Sequence, residues 1–447
     1  MEFKSVGDIY NFLGDNIEES RGGISVLDAV KLRDEALDTL AWNAALNSDD
    51  KVKKETHTVI RLLAKDLGIH SASIQNLYDA MGRGECSGFT VPAINIRGLT
   101  YGVARAIFRS AARHNSGTFI FEIAKSEIGY TGQRPAEYTA CCLAAAIKEG
   151  FEGPVFIQGD HFQVNAKNFL KDKEAEIAGL KALIKEAVEG GFYNIDIDAS
   201  TTVDLSKPSV EAQQAPNFET TALLTAYIRE IEPTGVTISV GGEIGEVGSR
   251  NSTEEELRAF MDGFLKSFGT EKKGISKISI QTGTSHGGVA LPDGTIAEVD
   301  VDFDIIEELS KISREVYGLA GVVQHGASTL PDDAFHIFPE KSAAEVHLAT
   351  GFQNMIYESG AFPADLKAEI YAHLDAEHSG EKKEGDTPEQ FYYKTRKKAF
   401  GPFKKKMWAL DAEIRETIGA ELEARFDLLF TKLNAIETIP YIKKWIG

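Results

Sequence analysis

From residue 88 onward the chain alternates between two hydrophobic rhythms. Short apolar runs, FTVPAINI, TFIFEIA, PVFIQGD, FYNIDIDAS, GVTISVGG, ISKISIQ, LAGVVQH and AAEVHLA, alternate with longer segments that place apolar residues three and four apart, such as GVARAIFRSAARH, EIAGLKALIKEAVEGG and STEEELRAFMDGFLKSF. The first rhythm is that of a buried strand and the second that of an amphipathic helix. Eight strands with helices between them, over about 270 residues, predict a (β/α)8 barrel. A doubly wound open sheet competes, but the turn after the first strand, NIRGLTYG, lacks the GxGxxG pattern of that fold. The seventh helix is the weakest element, because PDDAFHIF is short.

The flanks lose the strand rhythm. Residues 1–87 are helical in pattern, with SVLDAVKLRDEALDTLAWNAAL followed by VIRLLAKDLG, which stops at a glycine. Residues 364–447 hold a charged loop, SGEKKEGDTPEQ, and then a long helical stretch. The expected organisation is a helical N-terminal extension (1–87), a barrel (88–363) and a helical C-terminal extension (364–447). The stretch KMWALDAEIRETIGAELEARFDLLFTKL has apolar residues at helical spacing and is long for a tail. We expect a homo-oligomer, dimer or tetramer, formed through such added helices.

Charge narrows the classes. The chain has 68 acidic against 48 basic residues, a formal net charge of −20. That excludes the basic footprint of a nucleic-acid surface but not a local basic pocket for a small anion. The cysteines, Cys86, Cys141 and Cys142, are odd in number and two are adjacent. They make no disulfide framework, which points to a reducing, cytoplasmic setting. The N-terminal stretch has no signal-peptide pattern, and no run of about 18 apolar residues suggests a membrane span.

A barrel of this type carries its active site at the C-terminal ends of its strands. Read in order, those ends present Asn95; Lys125 and Ser126; Asp160 and His161; Asp196, Asp198 and Ser200; Glu243; Gln281 with His286 in the following loop; His325; and His347 with Thr350. His161, His286 and His325 come from three different strands and would converge on the mouth. Imidazoles so arranged make a catalytic zinc site with an open position for substrate. Asp198 and Glu243 lie close enough to support those ligands or to form an alternative ligand set. A single histidine at a strand end is more often structural; three, with an adjacent aspartate and glycine-rich surroundings, are harder to dismiss. His57, His70, His114, His373 and His378 read as solvated or structural. Cys141 and Cys142 sit mid-helix among alanines and read as packing residues. The loops HGG (286–288) and HGAST (325–329) expose backbone N–H groups that can cradle phosphate.

The motifs VPAINI, GDHF, IDAS, GGEIGEVG, GTSHGG, QHGAST and VHLATGFQ together resemble the class II, metal-dependent fructose-bisphosphate aldolases, over about residues 88–360. The resemblance implies a (β/α)8 enzyme that reversibly cleaves a ketose bisphosphate, fructose 1,6-bisphosphate foremost, to dihydroxyacetone phosphate and glyceraldehyde 3-phosphate. It implies Zn2+, or another divalent metal, on His161, His286 and His325, with Asp160 as acid/base. Asp198 and Glu243 take the places of the fourth-strand and loop carboxylates, and Asn95 and Ser126 those of substrate contacts. Gly287, Gly288, Gly326, Ala327, Ser328 and Thr350 fall at the phosphate. The chain departs from the family in three ways. His347 stands where an Asn usually contacts substrate, the Lys that often follows the sixth-strand histidine is missing, and long helical additions flank the barrel. GYTGQRPAEY, QGDH and IDAS also resemble the tagatose-bisphosphate aldolase accessory subunits. A metal-dependent sugar epimerase on the same barrel and a non-catalytic aldolase-stabilising subunit are therefore the alternatives.

Overall fold

The computed structural model of the chain describes residues 1–20, 23–245, 250–283, 291 and 301–447. Eight parallel strands, β1 (Val91–Asn95), β2 (Ile120–Ala124), β3 (Gly153–Gln163), β4 (Asn194–Asp198), β5 (Ser239–Glu243), β6 (Lys277–Ile280), β7 (Val322–Gln324) and β8 (Glu345–Leu348), pair in sequence order, and β8 returns to β1. The sheet is therefore closed, with helices around it: the (β/α)8 barrel that the rhythm predicts. The acidic run in STEEEL opens helix Glu254–Phe268 in a capping box. Thr253 Oγ1 accepts from the Glu256 backbone N–H, and the Glu256 carboxylate accepts from that of Thr253 at 2.9 Å. Within PDDAFHIF and just past its end the chain forms a 3-10 turn (Asp332–Ala334) and one helical turn (Ile337–Glu340).

β3 contains the irregularity that matters most. Its register against β4 slips between Gly159 and Phe162, so three steps along β3 match two along β4. One residue is in excess, a β-bulge, and His161 takes it up with φ of 41°. A left-handed conformation costs a non-glycine residue roughly 1–2 kcal/mol. In a regular strand Asp160 and His161 would point to opposite faces; with the bulge both reach the barrel mouth, while Phe162 is buried in the core between barrel and helices.

The flanks wrap this barrel and share its two apolar cores, a large one and a smaller one that includes Ile74, Leu77, Phe89 and Ile442. Residues 1–87 are not purely helical. A hairpin pairs Ile17–Ser20 with Gly23–Val26, and Ile69–Ala72 adds a strand beside the start of β3. Four residues are too few to show a period of two, and these strands are held by pairing rather than by pattern. Helices Leu37–Leu46 and Asp50–Asp66 pack on the alanine-rich helix Pro135–Lys148, in which Cys141 and Cys142 are buried. At the other end, helix Ala412–Lys432 lies along helix Thr100–Arg113 of the same chain and buries Ile418, Leu422, Phe426 and Leu429. Arg109 and Arg113, one turn apart, pair with Glu423, and Arg113 also pairs with Asp427. Among the described residues no helix is long and apolar enough to cross a membrane.

Candidate active site

A cleft of about 540 Å³ opens at the C-terminal end of the barrel. Asn95, Ser126, Asp160, His161, His325, Gly326, Ser328, His347 and Thr350, singled out in the sequence, all line it. His286, Gly287 and Gly288 lie outside the described residues. Ala327 is buried in the hydrophobic core behind Gly326 and Ser328. Asp198 and Glu243 stand behind His161.

One wall of the cleft is built of imidazoles and carboxylates. The His161 and His325 rings lie with centroids 4.2 Å apart, as do those of His325 and His347. His161 Nδ1 faces Asp198 Oδ2 at 3.2 Å and Glu243 Oε2 at 3.1 Å, and its Nε2 is 3.8 Å from Asp160 Oδ1. Burial alone would lower the His161 pKa, but these carboxylates outweigh it and hold it well above its ordinary value. Burial likewise raises Asp198, and the hydrogen bond and charge of His161, with Ser200 and Gln163, more than reverse it, leaving the group low. Glu243 is pushed up to about 7, first by burial and then by the charge of Asp198. His325 Nε2 meets Ser279 Oγ at 3.0 Å. Donor atoms of Asp160, His161 and His325 fall within 4.8 Å of one another, as do those of His161, Asp198 and Glu243. These mixed nitrogen and oxygen sets from separate strands fit a borderline divalent cation such as zinc.

A second part of the lining is cationic. Arg97, Lys125 and Lys397 line it. Arg97 donates from Nε to Glu127 Oε1 at 2.7 Å, and from a terminal nitrogen to Thr350 Oγ1 at 3.2 Å and Gln353 Oε1 at 2.8 Å. Glu127 also accepts from Asn95 Nδ2 at 2.6 Å, and the buried Asn95 Oδ1 has no partner among the described residues. Lys397 comes from the C-terminal extension. Burial, and then the charge of Arg97, lower its pKa. Its neighbours in sequence are engaged elsewhere: Lys394 with Asp386, Arg396 with Glu358, Lys398 with Glu381. Arg97, Glu127 and Lys397 were missed in the sequence, where nothing marks a loop or an extension as reaching the mouth.

His347 lines the cleft among carboxylates. Only 4% exposed, it meets Glu345 Oε1 with Nε2 at 2.6 Å, and Glu122 Oε2 and Asp160 Oδ1 with Nδ1 at 3.1 and 3.2 Å.

A family model described as class-II fructose-bisphosphate aldolase matches residues 75–419. Comparison with curated proteins finds no match. Among solved structures, a protein from Sinorhizobium meliloti 1021 described as a "probable tagatose 6 phosphate kinase" superposes with a TM-score of 0.53 at 17% identity, covering 77% of this chain and 97% of its own. A fructose-bisphosphate aldolase from Campylobacter jejuni gives 0.48 at 18% identity, over 83% of this chain and 96% of its own.

Proposed function

The chain belongs to the class-II fructose-bisphosphate aldolase family, and we propose that it reversibly cleaves a ketose bisphosphate, fructose 1,6-bisphosphate first, to dihydroxyacetone phosphate and glyceraldehyde 3-phosphate. The observation that carries this reading is the pairing of His161 with His325, ring centroids 4.2 Å apart, beside Asp160 at the cleft. His161 and His325, with His286, would hold a divalent cation, zinc in the first instance; Asp198 and Glu243 are the alternative partners. Bound there, the cation supplies Lewis-acid stabilisation for negative charge that builds on the oxygens of the ketose.

The chain's own groups divide the remaining work. Asp160 takes the proton of the C4 hydroxyl; the C3–C4 bond breaks, its electron pair stays with the three-carbon ketone, and the aldehyde leaves. Glu243, with a pKa near 7, then delivers a proton to the ketone carbon, the range in which a carboxyl group can both hold and release it. The loop Gly326–Ala327–Ser328, Thr350, and Gly287 and Gly288 take one phosphate. Ser126, Lys125 and Lys397 face the other, with Arg97 between the two beside Thr350, so the C-terminal extension adds a positive charge to a chain that lacks the family's Lys.

The test is release of triose phosphate from fructose 1,6-bisphosphate by the purified chain, in a coupled assay, with tagatose 1,6-bisphosphate in parallel. Cleavage of either supports an aldolase, and the ratio of kcat/KM values assigns the substrate. Epimerisation of one sugar into the other without triose release, or no reaction with added zinc, cobalt or manganese, overturns the reading.

A further inference from the structure

The barrel interior beneath the cleft holds a lysine that the aldolase reaction does not require. Lys277, on β6, is 1% exposed. Its Nζ donates to Gln158 Oε1 at 2.7 Å and to Glu345 Oε1, and lies 3.1 Å from Asp196 Oδ2. Room for it depends on Gly241 of β5: a Cβ there would stand 2.3 Å from Asp196 Oδ1 and 3.0 Å from Lys277 Cε. Burying an ammonium group is costly even when it is paired. A packed apolar layer would fill the same space, as it does in most such barrels.

What the lysine does is legible one step further up. The Glu345 carboxylate receives donors from Lys277, Gln158, Tyr78 and His347. With both Glu345 oxygens committed as acceptors, His347 can meet them only as a donor through Nε2, and with carboxylates at Nδ1 as well the ring bridges them as an imidazolium that donates from both nitrogens. That fixes the plane of the ring and places Nδ1 between Glu122 Oε2, 3.1 Å away, and Asp160 Oδ1, 3.2 Å away. A continuous line of contacts, Lys277–Glu345–His347–Asp160, thus runs from the barrel floor to the cleft.

We propose that Lys277 and Glu345 are positioning residues: they lock His347 as a donor to Asp160 and so set the orientation of the carboxylate that takes the C4 hydroxyl proton. The proposal rests on the aldolase reading above. It gives His347 a task different from a direct substrate contact, and it explains the glycine at 241. A small misplacement of a reacting group costs up to about 10²-fold in rate, so the contact line has an effect large enough to measure.

The experiment uses Glu345→Gln in the metal-loaded, full-length enzyme. Two reactions are followed: cleavage of fructose 1,6-bisphosphate, and exchange of the C–H proton of dihydroxyacetone phosphate with deuterated water by NMR. The second uses Glu243 but has no C4 hydroxyl. We expect kcat for cleavage to fall by about 10–10²-fold, with KM, exchange rate and metal content within about twofold. If the lone substitution impairs folding, Lys277→Met with Glu345→Gln removes both charges together and carries the same expectation. Loss of cleavage and exchange in parallel, or unchanged cleavage in a less stable protein, overturns the proposal. A wild-type enzyme that performs exchange and cleavage while both variants match it overturns the proposal alone; a wild type that performs neither overturns the aldolase reading with it.

Discussion

The two walls of the cleft are made in different ways. The chemical wall, Asp160, His161, Asp198, Glu243 and His325, comes from strands or their immediate ends, where backbone pairing fixes each side chain. The cationic wall comes from the loop after β1 (Arg97), from the start of the short helix Lys125–Tyr130 (Lys125) and from the C-terminal extension (Lys397). Rigid strands suit groups that must meet a reacting atom within a fraction of an ångström. Long cationic side chains suit an anion, which tolerates a range of approach. On this division, damage to the first wall should be read in kcat and damage to the second in KM.

The strongest test of the chemical wall is loss of its metal. Chelation, or His161→Ala, should lower metal content to a small fraction of one ion per chain by atomic spectroscopy and abolish cleavage, and a divalent cation should restore the chelated wild type but not the variant. Next comes Asp160→Asn. Its kcat should fall by about 10²–10⁴-fold, the range of a lost general acid/base, with metal content unchanged; near-normal turnover would show that the proton goes elsewhere. Lys397→Ala then probes the other wall. Removal of a charge-assisted contact worth roughly 1.5–3 kcal/mol should raise KM for the bisphosphate by about 10–10²-fold, leaving kcat within about threefold. A kcat effect larger than the KM effect would erase the distinction between the walls.

The smallest effect lies outside both. His57, buried in the N-terminal extension with Nε2 2.8 Å from the Ala44 carbonyl oxygen, is held down at about 4, chiefly by burial and against that hydrogen bond. Its folded value is depressed, so the unfolded chain binds the extra proton first. The contribution is intact above about pH 6.5 and is lost as pH falls towards 4, up to about 3 kcal/mol. Urea titrations at pH 7.5 and 5 should show a smaller acid-induced loss in His57→Gln than in wild type, with kcat and KM unmoved. Equal losses would place the acid sensitivity elsewhere.

The same division governs how much could be read from sequence. The barrel was legible because eight apolar runs at regular spacing leave few alternatives, and the strand-end rule then brought Asp160, His161 and His325 to one mouth. The bulge was not legible: GDHF looks like a strand end whatever its register, and only pairing with β4 shows why both polar residues face inward. Lys397 was hidden for a different reason. It stands in KTRKKAF among three other basic residues, each with its own acidic partner, and no local pattern tells which of the four turns to the cleft. Lys277 left a clue that went unused, a lysine inside the apolar run ISKISIQ on the parity of Ser279. The hairpin and the strand at 69–72 were too short to leave any.

The clamp between helices Thr100–Arg113 and Ala412–Lys432 bears on chain continuity. Lys397 lies between an exposed stretch, 380–385, and the clamped helix, and its neighbour Arg396 pairs with Glu358, so non-covalent contacts hold its place. A peptide bond cut in that stretch should leave Lys397 where it is. Limited proteolysis there should yield two bands under denaturing conditions, but one active species by native size-exclusion chromatography with an unchanged KM. Separation of the pieces, or a rise in KM, would mean that the intact backbone itself delivers this lysine to the cleft. Otherwise the last sixty-odd residues act as a non-covalent subunit that happens to be encoded in the same chain.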